Sequence, residues 1–182
     1  MKVTKTKLPD DSILSSPGKE YDYVDSYLGT LNDHDNTLSL SDVGKAFFSS
    51  SPKWIDKLFA IRNNIVAIFG LKTSGKISNR EEQLKNFKCE PGEQLGLFKV
   101  FSKTENEVVL GEDDKHLNFR VSLFLKQQTQ EPSKKDLTVS TTVHYNNWFG
   151  RLYFLPVRPF HKLIVPVMLK SIIKELKNKK GE

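Results

Sequence analysis

The chain has 182 residues, with 28 Lys and Arg against 22 Asp and Glu, and a formal net charge of +6. This length suits one domain with a sizeable core. The single cysteine, Cys89, excludes an intramolecular disulfide and a multi-cysteine metal site. The basic excess forms no Arg-rich stripe, so we expect no nucleic-acid partner. Because no signal-peptide core or uninterrupted bilayer-length apolar run is present, we expect a soluble, cytoplasmic protein without a transmembrane segment.

The N-terminal third is predicted to contain one strand and two helices. Residues 1–19 are rich in Lys, Ser, Pro and Asp and predict a flexible arm, with residues 20–182 forming a single domain. Tyr21–Leu31 has the aromatic and β-branched residues of a strand. Ser41 or Asp42 can cap a short helix.

A second, amphipathic helix is predicted to start at Ser51-Pro52 and to end at Gly70, since proline is favoured in a first turn and glycine after a last one. It carries Trp54 on its apolar face. Residues 71–94 contain two turn signals and predict either a short helix or an edge strand.

Antiparallel strands are predicted from Leu97 to Tyr145. Alternation assigns one face to five apolar residues, Leu117, Phe119, Val121, Leu123 and Leu125. The opposite face takes polar residues, including His116, Asn118, Arg120, Ser122 and His144. One apolar and one polar face is typical of a sheet covered on a single side, so we expect the polar face to be solvated.

The covering element is predicted to be a long C-terminal helix over Pro159–Lys179. Its inner, apolar side consists of Val165, Met168, Leu169, Ile172, Ile173 and Leu176, and lysines lie on the opposite side. Pro166 is expected to kink it, because proline removes a backbone hydrogen bond. The alternative is two helices broken at Pro156 and Pro159.

The order of strand, two helices, antiparallel strands and long helix resembles the START-like helix-grip superfamily, also described as polyketide-cyclase-like or SRPBCC. Three stretches, SPKWIDKLFAIRNNIVAIFGLK, VVLGEDDKHLNFRVSL and NWFGRLYFLPVRPFHKLIVPVML, closely resemble an uncharacterised bacterial family, a domain of unknown function. The resemblance spans Tyr21 to Leu176. It implies an α+β fold in which a curved antiparallel sheet wraps around the long C-terminal helix.

The resemblance also bears on partners. Family members occur alone or fused behind an NAD(P)-binding Rossmann domain, which implies an NAD(P)-dependent partner protein. This chain has no G-x-G-x-x-G motif and no room for a Rossmann unit. We expect no cofactor and no metal site, and no catalytic residue is implied.

The first functional hypothesis is a pocket between the sheet and the C-terminal helix that binds a small apolar or amphipathic molecule. Arg158 and His161, one helical turn apart, are predicted to orient its polar end, such as a carboxylate or phosphate. The predicted apolar contacts are Trp54, Phe119, Tyr145, Phe154 and Met168. An alternative role for Arg158 is to pair with a carboxylate of the GEDD turn and so lock the helix to the sheet.

Two other functions are kept open. A cyclase or hydratase would use the same pocket with an inward-facing His161, Tyr145 or Glu112 as acid or base. A peripheral membrane domain would lay its kinked, lysine-bearing helix on anionic lipid.

The acidic turn Glu112, Asp113, Asp114 with His116 can bind a cation or supply a base, or it is simply a β-turn. His116, Arg120 and His144 would form a catalytic group only if the polar face of the sheet pointed inward.

Overall fold

The computed structural model describes residues 2–50 and 80–179. Within these ranges the strands are β1 Val3–Thr6, β2 Tyr23–Asn32, β3 Gln94–Leu95, β4 Phe98–Lys103, β5 Glu107–Asp113, β6 Leu117–Gln127 and β7 Lys134–Tyr145. The helices are a 3-10 turn Ile13–Ser15, α1 Leu40–Ser49, α2 Arg80–Asn86 and α3 Trp148–Lys179. The helix predicted from Ser51-Pro52 to Gly70, with Trp54, lies outside the described residues.

The strands form one antiparallel sheet of seven strands in the order β1-β2-β7-β6-β5-β4-β3. The long helix α3 and the shorter α1 pack on one face of it. The predicted α+β helix-grip fold, with a curved open sheet and a long C-terminal helix, is therefore confirmed. The segment that resisted interpretation from sequence supplies both a short helix, α2, and an edge strand, β3.

The register of the central strands confirms the predicted alternation. Val121 lies opposite Thr141, and Leu123 lies opposite Val139, on the face that α1 and α3 cover. On the outer face, Arg120 lies opposite Thr142 and Ser122 opposite Ser140. Because directly opposite residues share a face, two strands of matching period place most of their apolar side chains toward the helices, whereas Phe124 is buried on the outer face.

The prediction that the outer face is solvated was wrong. Ser122 and Ser140 are buried on it. The N-terminal segment lies over this face, held by the buried carboxylate of Glu107. That carboxylate accepts hydrogen bonds of 2.6 Å from Ser12 Oγ and from the Ile13 backbone N–H, and a further one from Ser122 Oγ. A buried carboxylate needs such donors because nothing else replaces its lost hydration.

The segment expected to be a flexible arm thus carries a strand and a 3-10 turn in the structure. β1 is an edge strand, with Val3–Thr6 paired to Gly29–Ser26 of β2. Its sequence, VTKT, is too short and too polar for alternation to be recognised. The 3-10 turn buries Leu14.

Helix α1 begins at a capping box that sequence reasoning placed two or three residues too late. The N-cap is Ser39, whose Oγ accepts from the Asp42 N–H at 3.2 Å, while Asp42 Oδ2 accepts from the Ser39 N–H at 3.1 Å. One turn on, Gly44 faces the buried Cys89, and a Cβ at Gly44 would lie 2.1 Å from Cys89 Sγ. Only glycine allows this approach of helix and loop.

Helix α3 begins at Trp148, eleven residues before the predicted start, and runs unbroken through Pro156, Pro159 and Pro166. Both the start at Pro159 and the two-helix alternative are therefore wrong. Proline cannot donate to the carbonyl four residues earlier. For Pro166 that carbonyl belongs to Lys162, and the hydroxyl of Tyr27 donates to it at 3.4 Å. The corresponding carbonyls for Pro156 and Pro159 belong to Leu152 and Leu155, both exposed, where water can supply the donor.

The two halves of α3 differ in environment. Leu169, Ile172 and Ile173 in the C-terminal half are completely buried in the main core. By length and composition alone α3 is apolar enough to cross a membrane, a test that core helices of soluble proteins also pass. The N-terminal half is mostly exposed along its outer side.

We predict that Ser12→Ala lowers the free energy of unfolding by about 1–3 kcal/mol, because it leaves a buried carboxylate with one donor fewer. Urea denaturation followed by circular dichroism measures this. Ser16→Ala is the matched control, since its exposed Oγ donates only to the Ile13 carbonyl and its loss should change stability by about 0.5 kcal/mol or less. Equal midpoints for wild type and Ser12→Ala would contradict the anchoring of the N-terminal segment on Glu107.

Candidate functional site

The N-terminal half of α3 closes a second, smaller core at one end of the sheet. This core contains Tyr23, Leu117, Val143 and Phe154. Next to it, the inward side chains of β2 and β7 meet the middle of α3. We call the place where Tyr23, Asp25, Thr141, Phe154 and His161 come together the helix–sheet junction.

A buried carboxylate organises the junction. Asp25 is 4% exposed, and it shares the inward face of β2 with Tyr23 and Tyr27. Its Oδ2 accepts a 2.6 Å hydrogen bond from the Tyr23 hydroxyl and lies 3.1 Å from His161 Nδ1. With Nδ1–H donating to Asp25, the imidazole is held in one orientation, and its Nε2 is left to act as an acceptor.

Tyr23 in the junction and Tyr145 beside it stay protonated. Burial, reinforced by the hydrogen bond to Asp25 and its charge, raises the pKa of Tyr23 far above its usual value. Burial and then the charge of Asp22 raise the pKa of Tyr145 as well. Tyr23 is therefore a permanent donor, and neither phenol is suited to act as a base near neutral pH.

Two buried polar atoms at the junction have no hydrogen-bond partner among the described residues. They are Asp25 Oδ1 and Thr141 Oγ1. Asp25 and Thr141 lie directly opposite each other on β2 and β7, and side chains so placed are neighbours, with Cβ atoms about 4.5–5.5 Å apart. Since buried polar groups are nearly always hydrogen-bonded, this adjacent pair marks a place where a polar group of another molecule can bind.

Aromatic rings surround these polar atoms. The ring of Phe154 lies 5.0 Å from that of Tyr23 and 5.9 Å from that of Tyr145, measured between centroids. The His161 ring lies edge-on to Tyr23 at 6.0 Å. Arg158 lies at the exposed rim, with its guanidinium 5.4 Å from the Tyr23 ring centroid. The junction thus combines one buried anion with an aromatic wall.

The structure brings together part of the predicted binding set. His161 and Phe154 lie in the junction, while Tyr145 and Phe119 pack beside it. Met168 lies further along α3, packed against the main core. Asp113 of the GEDD turn pairs at 2.7 Å with Arg120, while Arg158 lies over Tyr23.

The acidic turn has the hydrogen bonds of a structural turn. Asp114 Oδ1 accepts from the His116 N–H at 3.3 Å, and the Asp114 N–H donates to the Leu117 carbonyl. His116 itself lies against Asn147 and Phe149. Residues 2–50 and 80–179 hold no group of three His, Cys, Asp or Glu side chains arranged for a metal ion.

The other residues considered as a catalytic group lie away from the junction. Arg120 and His144 are on the outer face of the sheet. The guanidinium of Arg120 stacks on the Phe101 ring at 3.5 Å, and His144 Nδ1 lies 3.5 Å from Asp22.

Sequence reasoning missed three residues of the junction, Tyr23, Asp25 and Thr141. The available signal was the phase of the YDYVDSY segment, in which Asp25 falls between Tyr23 and Tyr27 on the inward side of a strand. An acidic residue on the buried face of a strand needs a hydrogen-bond or ion-pair partner. For Asp25 one such partner, His161, is 136 residues away along the chain.

Two open clefts lie elsewhere on the described part of the molecule. One, of about 460 Å³, lies between the loop after β2 and the β4–β5 turn, beside Lys103 and Lys135. The other, of about 520 Å³, lies on the outer face between the N-terminal segment and Arg120. Neither cleft is lined by a residue of the junction.

Comparison with known proteins gives a family for this chain. The model of DUF2867, described as a protein of unknown function, matches residues 18–168. The chain belongs to the DUF2867 family. The prediction of an uncharacterised domain family is thereby confirmed, and all five junction residues lie within the DUF2867 match. No curated protein and no solved structure matches the chain.

We predict that Tyr23→Phe in this DUF2867 chain lowers the free energy of unfolding by about 1–3 kcal/mol, since it removes a donor from a buried carboxylate. Chemical denaturation measures the loss. Tyr145→Phe is the matched control, because the Tyr145 hydroxyl makes no hydrogen bond to the described residues. A Tyr23→Phe protein as stable as the control would show that Asp25 does not depend on this donor.

A second prediction concerns Cys89, which is fully buried and whose pKa burial raises to about 12. At pH 8 roughly one thiol in ten thousand would be ionised, and only the thiolate is an effective nucleophile. We expect no reaction of the native DUF2867 protein with an aromatic disulfide reagent at pH 8, and one equivalent after unfolding in urea. Rapid labelling of the native protein would contradict the buried position of the thiol.

Proposed function

We propose that this protein is a START-like binding protein that holds a small amphipathic molecule at the helix–sheet junction. The observation that carries the proposal is the pair of buried polar atoms, Asp25 Oδ1 and Thr141 Oγ1, on adjacent strands beneath α3, which have no hydrogen-bond partner among residues 2–50 and 80–179. The resemblance to the helix-grip superfamily supports the same location. An NAD(P)-dependent partner protein stays a prediction of that resemblance.

The polar end of the ligand is proposed to be a hydrogen-bond donor. An ionised carboxylate only accepts, so Asp25 Oδ1 suits a hydroxyl or an ammonium group, and Thr141 can donate to or accept from the same group. The carboxylate or phosphate expected from Arg158 and His161 fits less well. His161 is engaged with Asp25 at 3.1 Å, and a second anion beside this carboxylate would be repelled.

The apolar body of the ligand is proposed to lie against Phe154, Tyr145 and Phe119. Binding sites of this kind are mostly apolar, with a few placed polar groups. Room for the ligand would come from displacement of the N-terminal half of α3. Pro156 and Pro159 each remove a backbone hydrogen bond there, so this half depends on side-chain packing for its position.

The test compares three ligands of equal chain length that differ at the polar end: decylamine, decanol and decanoic acid. Thermal shift measurements should give stabilisation by the amine or the alcohol and none by the acid, because only the first two donate to Asp25 near neutral pH. Native mass spectrometry of the purified protein, with a denatured control, reveals any copurified adduct of the same class.

Asp25→Asn should abolish the thermal shift, because the amide places a donor where the ligand's donor would bind. Asp22→Asn is the matched control. It lies three residues away on the outer face, and its Oδ2 accepts from the Tyr145 N–H. Stabilisation by decanoic acid above the other two, or equal shifts in Asp25→Asn and wild type, would reject the proposed polar site.

A cyclase- or hydratase-type enzyme is a second candidate, favoured by the contact between His161 and Asp25. A carboxylate on Nδ1 orients the imidazole and leaves Nε2 as an acceptor, so Nε2 can take a proton from a substrate or from water. The His161 side chain is 19% exposed, which leaves it within reach of a bound molecule. His161→Gln would then retain ligand binding but stop turnover, which for a hydratase is followed as the mass gain of one water in an unsaturated ligand.

A further inference from the structure

The N-terminal half of α3 carries a row of exposed apolar side chains. Five are more than half exposed: Trp148 75%, Leu152 53%, Leu155 59%, Phe160 51% and Leu163 64%. We call these five residues the outer stripe. At 100° per residue, Trp148, Leu152, Leu155 and Leu163 fall on one side of the helix, and Phe160 borders it. Phe154 and His161, which face the sheet, lie on the opposite side.

The outer stripe is a concentration of apolar surface, not a scatter. Of the six large apolar side chains that are strongly exposed in the described part of the chain, five belong to it. The sixth, Val24, is isolated on β2. Single exposed apolar residues are common, but a contiguous apolar patch indicates a surface that binds another protein or a membrane.

The charged residues around the outer stripe indicate which kind of partner it binds. Arg151, Arg158 and Lys162 are exposed along one edge of the stripe, and the sequence from Trp148 to Lys174 contains no Asp or Glu. A helix with an apolar face, a terminal Trp and basic residues beside that face is suited to the boundary between acyl chains and anionic headgroups.

We propose that the outer stripe binds the surface of an anionic lipid bilayer, with the N-terminal half of α3 lying in the plane of the interface. The membrane hypothesis of the sequence analysis relied on the lysines of a shorter helix that starts at Pro159. The present proposal instead places the bilayer contact on the segment before Pro166, which has an exposed apolar face. The C-terminal half cannot follow into the bilayer without unfolding the core, because Leu169, Ile172 and Ile173 are completely buried there.

A second copy of this chain fits the stripe less well. In a symmetric dimer with the two helices antiparallel, the same patch meets itself, so the edges that carry Arg151, Arg158 and Lys162 would be brought close to their own copies. This repulsion has no acidic residue of the same helix segment to offset it. An anionic bilayer instead supplies the opposite charge along the whole edge.

The experiment uses vesicles of phosphatidylcholine, alone or mixed with phosphatidylserine. The chain has two tryptophans, so a Trp54→Phe protein reports only on Trp148. We expect this protein to float with the mixed vesicles, not with pure phosphatidylcholine, and its emission to shift to the blue on binding as Trp148 leaves water. Added salt should release it.

Variants separate the two parts of the surface. Leu152→Ala and Leu155→Ala should each lower the partition coefficient about tenfold through lost apolar burial. Arg151→Gln with Lys162→Gln should lower it about 25-fold, from about 1 kcal/mol for each basic residue. Val24→Ala is the matched control, an exposed apolar residue outside the stripe whose loss should change nothing.

Three outcomes would overturn the proposal: no flotation with mixed vesicles, flotation without a blue shift of Trp148, or equal loss of binding in Val24→Ala and the stripe variants. Sedimentation equilibrium without lipid tests whether the outer stripe forms a dimer instead. A dimer that Leu155→Ala dissociates would assign the stripe to a second copy of the chain and would also reject the bilayer.

Discussion

The close packing of α3 against the inward face of β2 is the constraint on which the rest of the structure depends. At Gly29 a Cβ would lie 2.6 Å from Ile173 Cδ1, so the helix approaches the strand closely, and a side chain at this position would require that methyl group to move. This contact buries Leu169, Ile172 and Ile173 completely. With the C-terminal half held in this way, a continuous helix must carry its N-terminal half across the end of the sheet, above Tyr23 and Asp25.

That placement produces two surfaces of different character on one short stretch of helix. The inner side brings His161 to 3.1 Å from a buried carboxylate, and the outer side presents large apolar side chains to solvent. Three prolines lie in the helix. The Tyr27 hydroxyl donates to the carbonyl that Pro166 leaves without a backbone donor, whereas the corresponding carbonyls for Pro156 and Pro159 belong to the exposed residues Leu152 and Leu155. The proposed ligand site and the proposed bilayer surface therefore share a segment that is held mainly by side-chain contacts.

The alternation of strands explains which predictions succeeded. The period of two in β6 and β7 is local, so the inward set from Val121 to Leu125 was correctly assigned. The outer face was mispredicted because its cover, the N-terminal segment, is joined to it by Glu107 and Ser12, which are 95 residues apart. The start of α3 was misplaced because proline is favoured in the first turn of a helix, which made Pro159 the expected start. In the structure Pro156 and Pro159 lie inside the helix, and the carbonyls that they leave without a backbone donor belong to the exposed residues Leu152 and Leu155.

The sequence by itself determined the order of the main strands and the long C-terminal helix, the inward faces of those strands and the family, since these depend on short-range periodicity and on motifs read along the chain. It also singled out His161 and Phe154, which lie at the helix–sheet junction. Only the tertiary structure decided that Asp25 and Thr141 lie beside them, and that Trp148, Leu152 and Leu155 remain exposed. The physical reason is that the burial and hydrogen bonding of a side chain depend on contacts between segments far apart in sequence. A local periodicity does not specify which distant segment packs against it.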